Sequence, residues 1–315
     1  MWILRRIGVA LVLVWIVASV VFLAIRLVPG DPAELMLSQG GVSPDPAIVA
    51  ELRDQLGLDR PVWQQYWANL QGLLVGNLGV SLVDQASVAG QVFVRLPRTL
   101  ELIAAAALLS VGFGVPLGLL AALRRGGWFD RLVMAAAGFS LSVPVFVVGT
   151  LLVLLLAQYL SLLPPGGFTP LARDPGRHFA QLLMPALTIS SSLAPVLVQM
   201  TRASVIDVIT RDHVRTARAK GVAPPAIVVH HVLRNALIPV VTVLALHLGT
   251  LLGGTVLVEY VFNYPGMSGL LVDSVNTRDY PMVQGVVLVI SVLFVALNLV
   301  MDLIYGMLDP RVRHA

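Results

Sequence analysis

Ile7–Ile25 reads IGVALVLVWIVASVVFLAI, a run with no charged side chain, preceded by Arg5-Arg6 and followed by Arg26. A hydrocarbon layer of roughly 30 Å, climbed at about 1.5 Å per residue, needs about 20 apolar residues. The run therefore reads as a membrane span. It is longer than a signal-peptide core and has no Ala-x-Ala site after it, so it is expected to stay uncleaved. Five more runs lack Asp, Glu, Lys and Arg: Leu102–Leu123, Leu132–Leu163, Phe179–Thr201, Asn235–Val258 and Tyr280–Met301. None alternates polar with apolar residues, which excludes membrane β-strands. The third run is too long for one straight span; its crossing is placed at Met134–Tyr159, with a kink expected at Pro144. The expected fold is an all-α polytopic membrane protein with six transmembrane helices.

Composition agrees. Of 315 residues, 57% are hydrophobic and 12% charged, with a mean hydropathy of +0.86. Soluble domains carry about 25% charged residues, and disorder needs the opposite bias. Cysteine is absent, which removes disulfide scaffolds and thiolate metal sites. The net charge of +4 is read as a topology signal and not as a nucleic-acid footprint. The N-terminus, Arg124–Arg131, Arg202–Arg234 and the C-terminus hold most of the 21 Lys and Arg residues. That side is expected to be cytoplasmic, with both termini inside.

Two connections are too long to be turns. Val28–Arg98 opens with Pro29-Gly30-Asp31-Pro32, which stops the first helix. Ser43-Pro44-Asp45-Pro46 then leads into a helix over Ala47–Leu56, closed by Gly57. From Pro61 to about Leu74, Trp63, Tyr66, Trp67 and Leu70 recur at helical spacing. This second helix reads first as one lying on the membrane interface or on its own bundle. A docking platform for an external partner is the alternative. On the other side, Ser204–Lys220 reads as a helix extending the fourth span, closed by Gly221, and Pro224-Pro225 fits the first turn of a second helix. A topogenic loop has no need of two capped helices, so this basic helix–glycine–helix is expected to fit a partner's groove.

Much chemistry is missing. There is no G-x-x-x-x-G-K-[ST], and Lys220 is the single lysine, so the chain has no P-loop for ATP. There is no H-E-x-x-H, and the six histidines are scattered. Gly138-Phe139-Ser140-Leu141 only loosely resembles a hydrolase G-x-S-x-G, and Ser140 reads as a packing or cavity hydroxyl. Ion-coupled carriers keep ionisable groups within their spans; here His247 alone lies near a span's middle, either packed or lining a pore. Glu101, Glu259 and Asp302 fall at span ends, where interface solvation is expected. Gly114-x-x-x-Gly118 and Gly249-x-x-x-Gly253 suit close helix packing. Ser190-Ser191-Ser192, with Gln199, is the most polar part of any span and should face the bundle or a wet path. A path without its own energy source points to an externally driven pore.

The chain resembles, over essentially its whole length, the B-type permease subunit of the dipeptide/oligopeptide/nickel class of bacterial ABC importers. The resemblance is carried by Arg26-Leu27-Val28-Pro29-Gly30-Asp31-Pro32, Leu56-Gly57-Leu58-Asp59-Arg60-Pro61, Leu96-Pro97-Arg98-Thr99-Leu100-Glu101 and Leu163-Pro164-Pro165-Gly166-Gly167. It continues with Val258-Glu259-Tyr260-Val261-Phe262, Tyr264-Pro265-Gly266, Arg278-Asp279-Tyr280-Pro281 and Leu308-Asp309-Pro310-Arg311. Each is weak alone, but together and in this order they are specific.

The resemblance implies a type I importer permease fold in the bacterial inner membrane. Residues 1–28 would form the first span, 29–98 a helical extracytoplasmic segment, and 99–315 the core permease domain with a coupling segment at 202–236. It implies a non-catalytic chain with no cofactor of its own. ATP and magnesium would be bound by two partner ATPase subunits or sites. A second homologous permease and an external substrate-binding protein would complete the importer. Importer permeases carry a coupling motif E-A-A-x3-G-x9-I-x-L-P that docks into the ATPase. Here Arg215-Thr216-Ala217 stands at E-A-A, Gly221 at the glycine, and His231-Val232-Leu233-Arg234 at I-x-L-P. Pro224-Pro225 departs from the charged residues expected there. Ser190, Ser191, Ser192, Gln199 and His247 are the candidate path residues. Dipeptides, longer peptides, glutathione-like molecules and nickel complexes all remain open as substrates. A self-sufficient carrier or channel is the alternative, and a membrane-embedded hydrolase a third.

Overall fold

The computed structural model describes residues 2–27, 33–34, 45–55 and 58–308. Every regular element among them is helical, apart from an isolated bridge between Val80 and Ser87. In chain order these are α1 Trp2–Leu27, α2 Pro46–Gln55, α3 Val62–Leu74, α4 Val88–Leu123, α5 Trp128–Ser142, α6 Val145–Leu152, α7 Pro175–Ile209 and α8 Asp212–Ala219. There follow α9 Pro224–Ala226, α10 Arg234–Gly254, α11 Val256–Val261, α12 Met267–Asn276 and α13 Tyr280–Leu308. Two π-helical stretches, Val153–Tyr159 and Ile227–Leu233, continue α6 and α9. The Val28–Pro32 stop, Ser43-Pro44, Leu56-Gly57 and Asp309–Arg311 lie outside the described residues.

Among the described residues, five helices are long and apolar enough to cross a membrane: Arg5–Ala24, Val88–Leu123, Pro175–Ile209, Pro224–Leu251 and Tyr280–Leu299. The third expected span differs from its reading. It is two helices, Trp128–Ser142 and Val145–Tyr159, bent by 100°, and it makes a sixth span only if the pair is counted as one. The cause is local. Pro144 cannot donate its backbone nitrogen and crowds the residue before it out of the helical region. Val143 is accordingly extended (φ −91, ψ 125), and Pro144 starts a new helix as its cap.

The chain divides into two compact units, one of Met1–Pro97 with Gly266–Ala315 and one of Arg98–Pro265. Residues 266–308, grouped with the core at the sequence level, thus fall with the N-terminal elements. In the first unit α1 runs along α13 and touches α3. Val88, Val92, Met267, Leu270, Met282 and Val286 form its buried cluster. Asp45 accepts from the Ala47 amide at 2.9 Å and so caps α2. Asp279 stands before α13 and accepts from the amides of Met282 at 3.4 Å and Leu82 at 3.1 Å, and from the Ser81 hydroxyl. One buried carboxylate therefore caps the last span and holds the Ser81–Ser87 turn. Asp279→Ala is expected to cost about 1 kcal/mol for the cap and about 1–3 kcal/mol for each buried donor left unpaired. Thermal unfolding in detergent checks this; an unchanged midpoint would deny Asp279 the double role.

In the second unit α7 is the central helix, packed by α5, α6, α10 and α11. Its Leu193 and Leu197 bury with Val240, and its Met184 and Ile189 with Leu102 and Phe262. The Gly114/Gly118 spacing has its expected use. A Cβ on Gly118 would lie 2.6 Å from the Val198 carbonyl oxygen, and one on Gly114 2.8 Å from Leu197 Cβ. Backbone meets backbone there, as small-residue packing between spans requires. Gly249 is buried in α10, whereas the surroundings of Gly253 lie outside the described residues.

Candidate functional site

The α7–α10 connection is built differently from its sequence reading at one point. The helix expected over Ser204–Lys220 breaks at Thr210-Arg211, where Arg211 is extended (ψ 154) and α8 begins at Asp212. The C-terminal end of α8 is a Schellman turn. Gly221 takes φ +77, its amide donates to the Arg218 carbonyl at 3.0 Å, and the Val222 amide donates to Ala217 at 3.2 Å. Pro224 and Pro225 then occupy the first turn of α9, where no amide donor is needed.

This segment has two faces. Val214 and Ala217 of α8, with Ile227 and Val232, bury against Val205 and Val208 of α7, Ala122 of α4 and Ala236 of α10. Arg211, His213, Arg215, Thr216, Arg218 and Lys220 point outward and are exposed. Of the residues aligned with the coupling motif, Arg215, Thr216, Gly221 and Arg234 are exposed, His231 and Leu233 half-buried, and Ala217 buried. Arg215 reaches Asp212 at 3.7 Å and Arg211 reaches Asp207 at 2.6 Å. Such exposed pairs hold little energy and leave the basic face open. A rigid basic knob is thus fixed to the ends of three helices.

A pairing that charge counting alone had assigned only to topology lies nearby. Asp130, in the first turn of α5, accepts both Arg202 Nε (2.6 Å) and Nη2 (2.8 Å), and also the Gly126 amide (2.9 Å). Its side chain is 4% exposed and that of Arg202 25%. Spacing could not have revealed this contact, because the partners lie 72 residues apart.

The serine triplet is divided in use. The Ser110 hydroxyl of α4 donates to Ser190 Oγ at 3.0 Å, and Ser140 of α5 donates to the Ser191 carbonyl at 2.7 Å. Ser140 is therefore a packing hydroxyl. Ser192 bonds its own helix at Ile189 and is exposed; Gln199 and His247 are half-buried.

The far end of the second unit gathers several quoted sequence pieces. Glu259, expected to be solvated at an interface, is 1% exposed. It accepts from the Thr99 hydroxyl at 2.9 Å and from Thr255 at 3.3 Å. Burial of a carboxylate demands such donors; Thr255 is supplied from the preceding turn, but Thr99 comes from a helix 160 residues away. His178 Nδ1 faces the Thr169 carbonyl at 2.8 Å and so must carry a proton; its Nε2 meets Glu101 at 2.7 Å. Arg98 lies 4.5 Å over the Phe168 ring, which meets Tyr264 edge to face at 5.6 Å. The Tyr264 hydroxyl donates to the Arg98 carbonyl at 3.3 Å. Burial first, then the Glu101 and Glu259 charges, push that phenol upward, so it remains a neutral donor. The Gly167 amide donates to Phe262 at 2.8 Å. The Arg98, Glu101, Pro164–Phe168 and Glu259–Pro265 stretches thus form one hydrogen-bonded knot.

Comparison with known proteins matches this architecture along the chain. The "Binding-protein-dependent transport system inner membrane component" family model matches residues 114–314, and its N-terminal companion matches residues 1–103. The chain is 40% identical over 313 residues to the glutathione transport system permease protein GsiC of Escherichia coli O6:H1, covering 99% of both chains. It is 39% identical to that of E. coli K12 and 41% to that of Salmonella paratyphi A, again covering 99% of both. With its apolar helices and its capped helix pair between α7 and α10, the chain belongs to the binding-protein-dependent transport system inner membrane components, the multi-pass permease subunits of ABC importers.

Proposed function

We propose that this permease forms half of an import path for short peptides, with glutathione-type tripeptides the first candidate. The whole-length likeness to glutathione permeases supports that substrate class. Selectivity would rest with an external binding protein. A second, homologous permease would complete the path, with Ser192, Gln199 and His247 the residues on this chain available to line it. Two ATPase subunits or sites would bind ATP and magnesium, leaving this chain without a cofactor. Arginine placement supports an orientation with both termini and the α7–α10 connection in the cytoplasm. There the exposed face bearing Arg215, Thr216 and Gly221 would seat in the ATPase. Because Ala217, Val214 and Val232 weld that knob to α4, α7 and α10, displacement of the knob by ATP-driven closure would move those helices as a body.

The test is accumulation of labelled glutathione, dipeptides, oligopeptides and nickel in a deletion strain and its complemented parent. Loss of glutathione or peptide uptake alone is the expected result. Loss of nickel uptake alone would move the chain to the metal-chelate branch. Uptake by the chain reconstituted without ATPases would instead favour a self-sufficient carrier.

A further inference from the structure

We propose that α3 is a membrane-interface helix whose Trp63–Trp67–Leu74 face lies among the lipids of the leaflet at the Leu27 end of α1. The inference needs only that α1 spans a bilayer and is independent of the substrate and of the partners assigned above.

The position of α3 along α1 carries the argument. The Arg26 guanidinium, which ends the charge-free run of α1, bonds the Gln65 side chain and lies 4.6 Å over the Phe22 ring. One residue further along α3, the Tyr66 ring meets Phe22 edge to face at 5.4 Å, and its hydroxyl reaches Ser19 Oγ at 2.7 Å. Ser19 lies seven residues inside Arg26, about 10 Å deeper at 1.5 Å per residue. The helix therefore rests at the headgroup boundary, with one aromatic side chain extending below it. Asn69 ties the same helix to Gln284 in the second turn of α13, at 2.9 Å.

The remaining surface of α3 fits that depth. At 3.6 residues per turn, Gln65, Tyr66, Asn69 and Leu73 form the docked face. Trp63, Trp67 and Leu74 form an adjacent apolar face, 65%, 59% and 87% exposed. Gln64 and Gln71 form a third, polar face, also exposed. No charged residue occurs between Arg60 and Asp84. A helix with its apolar face in acyl chains, its polar face toward water and its tryptophans at the boundary is the interfacial arrangement. A face visited only intermittently by a soluble receptor would hold these large apolar side chains in water between visits, which is unfavourable for each of them. The lipid assignment removes that cost.

The chain has no cysteine, so single cysteines can be introduced without background. Trp63→Cys, Trp67→Cys, Leu74→Cys, Gln64→Cys and Gln71→Cys are each spin-labelled in the chain co-purified with cysteine-free versions of its transport partners. The preparation is then reconstituted in phosphatidylethanolamine–phosphatidylglycerol vesicles. Collision with oxygen, which concentrates in acyl chains, is compared with collision with chromium oxalate, which stays in water. The oxygen-to-chromium ratio should be several-fold higher at positions 63, 67 and 74 than at 64 and 71. Chromium access at 63, 67 and 74 equal to that at 64 and 71 would make this a water-facing platform and overturn the assignment. Exclusion of both reagents from 63, 67 and 74 would show a protein covering the face, and would overturn it equally. Leu74 lies at the far end of the helix, so a fold disturbed by loss of one tryptophan still leaves an independent reading.

Discussion

Gly221→Val is expected to abolish uptake while the protein still reaches the membrane, Gly221→Ala to lower uptake, and Gly221→Asn to keep most of it. The order follows from the backbone. At φ +77 an ordinary L-residue is strained by roughly 1–2 kcal/mol, a β-branched one by more, and asparagine by the least of the three. The site offers no other reason for damage, since a Cβ at Gly221 would meet nothing within 4 Å. Helix packing is thus left alone and only the turn that aims α8 is altered. Unfolding the turn would release the two Schellman bonds and swing Arg215 and Thr216 away from their present direction, while Val205, Val208 and Ala122 stay packed. Labelled-substrate accumulation, normalised to membrane protein, reads this out. Full uptake by the valine variant would remove the coupling assignment. Loss in the asparagine variant as deep as in the valine one would mean that the bare glycine surface is itself a contact, not a conformational requirement.

That turn was legible from sequence because all its signals are local: a glycine after a basic helical run, then two prolines that can only begin a helix. The membrane-crossing runs were legible for a similar reason, being defined by what they lack. What the residues hid were satisfactions supplied from a distance. Glu259 looks like a solvated interface residue until Thr99 is brought to it. The start of α4 at Val88, well before the uncharged run at Leu102, was hidden by Arg95, Arg98 and Glu101, which mark a boundary in sequence; in the helix Arg98 and Glu101 find partners and Arg95 is half-buried. The break at Pro144 is sharper than the kink expected there. Pro144 ends a helix outright, whereas Pro185 and Pro195 lie within α7, both buried against its neighbours. Tertiary packing decides between the two outcomes, and a single sequence has no means of weighing it.

Asp130→Ala should strongly destabilise the second unit, and pairing it with Arg202→Met should recover most of the loss. The carboxylate is buried and accepts three hydrogen bonds, two of them in the fork geometry that arginine makes with a carboxylate. Removing it leaves the Arg202 guanidinium without its counter-charge in a largely dry place, a penalty of about 3–5 kcal/mol. For a unit of this size that corresponds to a drop in apparent melting temperature on the order of 10 °C. Removing both partners for apolar groups eliminates the unpaired charge, and buried pairs replaced in this way often leave stability nearly unchanged. Arg202→Lys should fall between, since an ammonium keeps the charge but cannot form the fork. Melting of the purified chain in detergent measures all three variants. A loss below about 1 kcal/mol for Asp130→Ala would place the pair among ordinary surface contacts, and failure of the double variant to recover would mean that Gly126, not Arg202, is the partner that matters. If the expected order holds, the pair is what ties the start of α5 to α7, so that a push delivered through the α7–α10 connection is carried to both helices together.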